Sequence, residues 1–556
     1  MQSLLLSRAL LINDELLLGT NPSHKQVEDA AGRVEHPQST RSSTTAAPAP
    51  ADAVGNGEEP VVDAQDGDLA QKQEKQRALP EPDSPELEFL VDFVPGDQLN
   101  PKNWSSTRRW IYTLMVAHIA VLVSQASSIN SLAAPYAAEA LNVSEEVVLL
   151  DTALFLVGFG VAAPVVGPLS EIAGRNPVYI LTLLLFIIFE IGTACTSTIY
   201  ARCILRFFAG CAGATPLSNA GGSLADMWSP TERVFAFPVF AATGFFGNSI
   251  GPVIGAWVGE LYDYRWCDWV SAIWGALVLV TTALFMPETF APEILKMKAA
   301  ALRKKTGESR YKTALEKLRE KVSFGEHFVD ALRRPFAMLV LEPIVLFFSL
   351  YLSVVYIVSF GDLVAFAYIF APYNLSNGVL GLTFFSIIVG LLLCAATTPF
   401  VYRHRQRVAA RCEAENRPVQ PEEHLRLAMF GTWLVPISLF WGAWTSYESV
   451  SIWSVLASQV LFGCGILCIF IASYQYIIDA YLSTAASALA TLTFVRYPIS
   501  GGAVMFTGPM YKSLGRHWAM SLLGFLSLAM SAIPFMFFKY GPKIRSWSRY
   551  TPKVAL

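Results

Sequence analysis

From Trp110 onward the chain repeats apolar blocks of one characteristic length, and this repetition constrains its fold more tightly than any other feature. A lipid hydrocarbon core roughly 30 Å thick is crossed by about 20 helical residues. Twelve blocks suit that length, at 110–134, 147–168, 177–196, 201–225, 234–258, 266–287, 343–370, 377–402, 426–446, 451–476, 482–508 and 517–538. Composition agrees, because 53% of residues are hydrophobic and only 15% are charged, against about 25% charged in soluble domains. The expected fold class is an all-α membrane protein with 12 transmembrane helices in two six-helix halves, 106–287 and 336–540, joined by a polar linker at 288–335. Two such sets point to pseudo-symmetric bundles.

Residues 1–105 differ from everything after them, with runs such as Ser42-Ser43-Thr44-Thr45 and many Asp, Glu, Gln and Lys. Such a segment buries too little apolar surface to offset its ordering entropy, so it is expected to be disordered. Lys and Arg set the orientation, because cytoplasmic loops retain them. The linker holds twelve, residues 403–426 hold six, and Lys543, Arg545, Arg549 and Lys553 lie in the 541–556 tail, whereas 135–146, 371–377 and 446–451 hold none. Both termini are therefore expected to be cytoplasmic. The sequons at Asn142 and Asn374 fall in expected external loops and are candidate glycosylation sites, although closeness to the membrane opposes their use. The eight cysteines show no paired spacing, so neither a disulfide framework nor a metal site is expected. Cys464 and Cys468, one helical turn apart, read as small packing residues.

Three passages carry a family resemblance. Gly167-Pro168-Leu169-Ser170-Glu171-Ile172-Ala173-Gly174-Arg175 sits in the short turn after the second block, where glycines permit a tight turn and Arg175 can pair with Glu171 across an inner gate. Arg206-Phe207-Phe208-Ala209-Gly210 opens a run of small residues through Gly222 in the fourth block. An arginine there is costly against lipid and should face the interior and pair. Gly247-Asn248-Ser249-Ile250-Gly251-Pro252-Val253-Ile254-Gly255 in the fifth block can kink a helix and bring the two halves close. In this order on successive helices the passages resemble the major facilitator superfamily, in its fungal twelve-span drug:proton antiporter branch. Asn100-Pro101-Lys102-Asn103-Trp104, Pro287-Glu288-Thr289 and Lys539-Tyr540-Gly541-Pro542 extend the resemblance over residues 100 to 550. Two positions depart from the pattern: Asn176 replaces a second arginine of the gate loop, and Ala256 replaces the last glycine of the antiporter motif.

The resemblance implies the major facilitator fold, export in exchange for protons, and drugs, toxins, polyamines or secondary metabolites as substrates. It assigns Arg206 to proton transfer and to the binding cavity. It also implies the plasma membrane, with the vacuolar membrane as the alternative. A single chain is expected to work as a monomer, with a small organic substrate, protons and lipid as its partners.

Ionisable residues at membrane depth are the default functional candidates. They are Glu190, Arg206, Asp362, Asp479, Arg496 and His118. Each has a plainer reading beside it. Arg206 can tie helices together, Glu190 can sit toward the periphery with an interior or interfacial partner, and His118 can be a packed, hydrogen-bonded side chain. The branch pattern places a glutamate at the position of Val364. Asp362 stands two residues earlier, a rotation of about 200° on a helix, so it is either a displaced replacement or has another role. Asp226, Glu232 and Arg233 read as loop or gate ion pairs. Aromatic residues such as Tyr356, Phe360 and Tyr474 offer a cavity suited to planar organic molecules.

No His-Glu-x-x-His pair, nucleophile elbow or phosphate-binding glycine loop occurs. An enzyme and an ATP-driven pump are therefore not expected, nor are a cofactor or a nucleic-acid partner. The rivals to export are uptake by a facilitator or proton symporter on the same fold and a non-transporting nutrient sensor.

Overall fold

In lipid a backbone amide or carbonyl finds no water, so each crossing segment has to close its own hydrogen bonds, which a helix does within itself. The computed structural model describes residues 89–550 apart from 322, 323, 416 and 418, and these are predominantly helical. The first group of helices comprises α1 (Ser106–Ser128), α2 (Glu145–Ala173), α3 (Arg175–Cys195), α4 (Ile199–Gly213), α5 (Thr215–Met227), α6 (Pro230–Leu261) and α7 (Trp266–Phe285). A connecting helix α8 (Ala291–Thr306) follows. The second group comprises α9 (Pro343–Ile369), α10 (Phe385–Ala414), α11 (Leu425–Thr445), α12 (Ile452–Tyr481), α13 (Ala485–Met530) and α14 (Ala532–Trp547).

Among the described residues, ten helical segments are long and apolar enough to cross a membrane. Neither α4 nor α5 qualifies alone, because a break at Ala214 divides the stretch between them. The last segment, Ala485–Trp547, runs 63 residues, but Gly515 interrupts it at φ 72°, a conformation glycine adopts without steric cost. Apolar faces turn outward where lipid is expected. Ile273, Leu277, Val280 and Leu284 of α7 are all exposed and recur at one helical face, while Asp268 and Ser271 on the same helix are buried.

Residues 89–105 depart from the disordered reading. Phe89–Leu90 (β1) pairs in parallel with Tyr311–Lys312 (β2). Val91 and Leu99 bury against Ile294, Leu302 and Tyr311, and Lys298 donates to Asp97 at 2.8 Å. The few apolar side chains of this polar stretch suffice because α8 supplies the other half of a small core. The remainder of the expected disordered segment, 1–88, and residues 551–556 of the tail lie outside the described residues.

Packing between helices depends on close backbone approach. A Cβ built on Gly247, Gly251 or Gly255 of α6 would come within 2.5, 2.1 and 1.8 Å of Val121 O, Ser128 Oγ and Ile129 O. These motif glycines therefore seat α6 on α1, inside the first group. That corrects the expectation that they join the two halves. The contact between groups falls instead to Pro252, Val253 and Ala256, which meet Gly381. A second crossing contact sets α2 on α13, where Gly160 faces Pro498 and Gly501 faces Ala153.

Candidate functional site

The first group holds its buried charges in ion-paired networks. Arg202 of α4 donates to Asp151 of α2 at 2.8 Å and to Asp268 of α7 at 2.7 Å. The Asn130 side-chain amide donates to both carboxylates. One turn further along α4, Arg206 donates to Glu190 of α3 and to the Ala126 carbonyl, at 2.8 and 2.7 Å. Its guanidinium also stands 4.6 Å from the Phe155 ring centre. Removing one partner from such a buried pair costs about 3–5 kcal/mol, so these networks lock α1, α2, α3, α4 and α7 together.

Between the groups lies a narrow cavity. Ser124, Ser127, Phe159, Phe245 and Asn248 line it from the first group, and Tyr356, Ser359, Phe360, Phe470 and Tyr497 from the second. Behind its aromatic wall sits Arg496 of α13, fully buried. Its guanidinium lies 4.5 Å from the ring centre of Tyr356 and 5.2, 5.2 and 5.3 Å from those of Tyr474, Tyr497 and Phe470. None of its three nitrogens completes a hydrogen bond among the described residues. Asp362 of α9 is also buried, with Oδ2 unpartnered and no ion pair among the described residues. A larger groove lies between α6, α10, α11 and α12. Its walls include the exposed Phe400 and Phe430, so it faces the protein surface rather than the centre.

Polar contacts cross between the groups at both ends. At one face Arg233 of α6 donates to Asp479 of α12 at 2.8 Å, and His424 Nε2 lies 2.7 Å from the same carboxylate and beside Arg405. At the opposite face Lys512 donates to Glu146 at 2.8 Å, and the Asn377 amide donates to Leu132 O and Ala256 O.

The gate loop differs in its pairing from expectation. Glu171 is exposed, and Arg175 reaches Asp226 at the end of α5, at 3.3 Å, and Ser170 Oγ. Gly174 adopts φ 90°, which turns the chain from α2 into α3. Gly167 shows no close neighbour to its Cβ position, so nothing near it requires glycine. Glu288 accepts from the backbone amides of Arg175, Asn176 and Phe290. Burial pushes its carboxyl above the usual range, and those amides pull it back.

Of the sequence candidates, Glu190 and Arg206 come together, Asp479 joins a contact between groups, and Arg496 borders the cavity. Asp362 lies near Tyr511 of α13 rather than in the cavity wall, and the preceding Gly361 faces Thr507. His118 is exposed on α1 and accepts a hydrogen bond from Trp274 at 2.8 Å. Asn142 and Asn374 are exposed at left-handed turns. Arg202, Asp151, Asp268 and Asn130 were not singled out, although three ionisable groups inside apolar blocks were signal enough. Cys394 was not singled out either: its sulfur meets those of Cys464 and Cys468 within 4.8 Å, as three soft donors could around a metal ion. Cys394 is 70 residues from Cys464, so no local spacing announces that group.

Comparisons with known proteins agree on one family. The Major Facilitator Superfamily model matches residues 116–504. The MFS-type transporter kojT of Aspergillus flavus is 42% identical over 469 residues, covering 84% of this chain and 83% of that protein. The efflux pump FUBT of Fusarium oxysporum is 34% identical over 469 residues, covering 84% of this chain and 78% of that one. Among solved structures, the proton:xylose symporter XylE bound to 6-bromo-6-deoxy-D-glucose superposes with a TM-score of 0.55 at 14% identity, covering 79% of this chain and 96% of that chain.

Proposed function

This chain belongs to the major facilitator superfamily, as a multi-pass membrane transporter and not an enzyme, and on that premise we propose that it exports a small organic molecule in exchange for protons. The observation that carries the reading is the central cavity, lined from both groups of helices and flanked at both ends by contacts that cross between them. In alternating access one set of crossing contacts opens while the other stays shut. The Arg233–Asp479 face is read as cytoplasmic, in keeping with the excess of Lys and Arg in 403–426.

Twelve crossings follow if α4 and α5 together make one and Gly515 divides the last segment into two. The outward direction draws support from the α6 motif and from FUBT, a relative named an efflux pump. Asp362 is the proposed proton carrier. A buried carboxylate without a cationic partner is stable only as the neutral acid. Opening toward the more alkaline cytoplasm lets it release its proton as cargo binds; once the cargo has left on the outer side it takes up a proton there, and that proton accompanies the return. Secondary metabolites are the proposed cargo, and the plasma membrane the proposed location.

An export assay over a chemically diverse panel, in a yeast strain lacking its own pumps, tests this. The chain should lower cellular accumulation of at least one compound, and Asp362→Asn should abolish that effect at unchanged surface expression. Normal export by Asp362→Asn removes it as the carrier, and accumulation that rises with the wild-type chain reverses the direction.

A further inference from the structure

Arg496 stands apart from the other deeply buried arginines. Arg202 and Arg206 each reach a carboxylate within 2.8 Å, whereas among the described residues Arg496 reaches none, and the Tyr474 hydroxyl beside its guanidinium completes no well-formed hydrogen bond with Nε, Nη1 or Nη2. Cation–π contacts offset only part of the cost of desolvation, and most of the five N–H donors stay without an acceptor. A guanidinium without a counter-charge is costly at this depth. A fold retains such a group where a ligand completes it.

The surroundings describe that ligand. Tyr356, Phe470 and Tyr497 lie against the guanidinium and also line the central cavity. A molecule that displaces one of these rings meets the charge. Phe159 stacks on Tyr497 and Phe470 on Tyr474, both with centres 4.2 Å apart, so the walls present flat apolar faces. Across the cavity, Asn248 has an unpartnered Oδ1, with Ser124 and Ser127 nearby.

We propose that the cargo is a small planar organic acid, whose anionic oxygens pair with Arg496 between the aromatic walls while a polar substituent reaches Asn248. A guanidinium fork matches two coplanar oxygens, as in a carboxylate. This rests on the transport reading and names its substrate class.

The test is ligand-induced thermal stabilisation of the purified full-length protein in nanodiscs, which is blind to direction and to proton coupling. The probes are benzoate and salicylate, each beside its uncharged amide, with rhodamine 6G as a cationic planar control. Both acids should raise Tm, and the amides and the cation should not. Arg496→Lys should weaken acid binding by about 10- to 100-fold, as loss of a charge-assisted bidentate contact predicts. Arg496→Met should remove the response while leaving the unliganded Tm equal or higher. Equal responses to acid and amide, including none to either, overturn the proposal. So does an undiminished acid response in Arg496→Lys, or a large fall in unliganded Tm in Arg496→Met, which marks a structural arginine. Stabilisation by the cation alone ends the organic-acid assignment and leaves the export reading standing.

Discussion

The two groups of helices differ in how they hold their deepest charges. Before residue 288, Asp151, Glu190, Arg202, Arg206 and Asp268 all sit in ion pairs on neighbouring helices of the same group. After residue 342, Arg496 and Asp362 are buried as deeply and have no ionic partner among the described residues. A paired charge ties helices into one rigid arrangement, whereas an unpaired one is in balance only when something mobile arrives. The first group thus holds its deep charges in a fixed frame, whereas on the proposed reading those of the second are left for cargo and proton.

The contrast is easiest to break through stability. Arg202→Ala strands two carboxylates at once and should cost about 3–5 kcal/mol, seen as loss of folded protein in fluorescence-detected size exclusion. Asp362→Asn, by contrast, should leave folding intact or improved, because it removes a lone buried carboxyl. Equal losses in the two variants would erase the distinction between the groups. A backbone contact sets the next scale. Gly255→Ala places a Cβ 1.8 Å from Ile129 O, and such overpacking should cost about 1–3 kcal/mol, read as a lowered Tm. The smallest effect belongs to the exposed Lys512–Glu146 pair. Lys512→Gln should leave Tm almost unchanged, and a clear loss would show that this outer contact is more than a surface ion pair.

How far these features were legible in the sequence follows from how local they are. Most of the spans were, because an apolar block of fixed length needs no distant partner to be recognised. Arg206 and Glu190 were legible as costly ions, but their pairing was not, since 16 residues and a loop separate them. The gate pairing was misjudged for a similar reason. Glu171 lies on the same loop as Arg175, yet Asp226 reaches that arginine from α5, and only the packing of the helices decides between them. Residues 89–105 read as polar chain because their apolar partners sit some 200 residues later, in α8 and β2. The isolation of Arg496 was the least legible feature, because an absent partner is a property of the assembled fold.

The central claim is that the cavity opens alternately to the two faces as a proton binds and leaves Asp362. Pulsed electron-spin distances in nanodiscs test it directly, with one label pair spanning the Arg233–Asp479 face and another the Lys512–Glu146 face. On a pH change the two distances should move in opposite senses, and Asp362→Asn should hold the low-pH distribution at every pH. Distances that stay fixed at both faces, or that change together, would contradict the account.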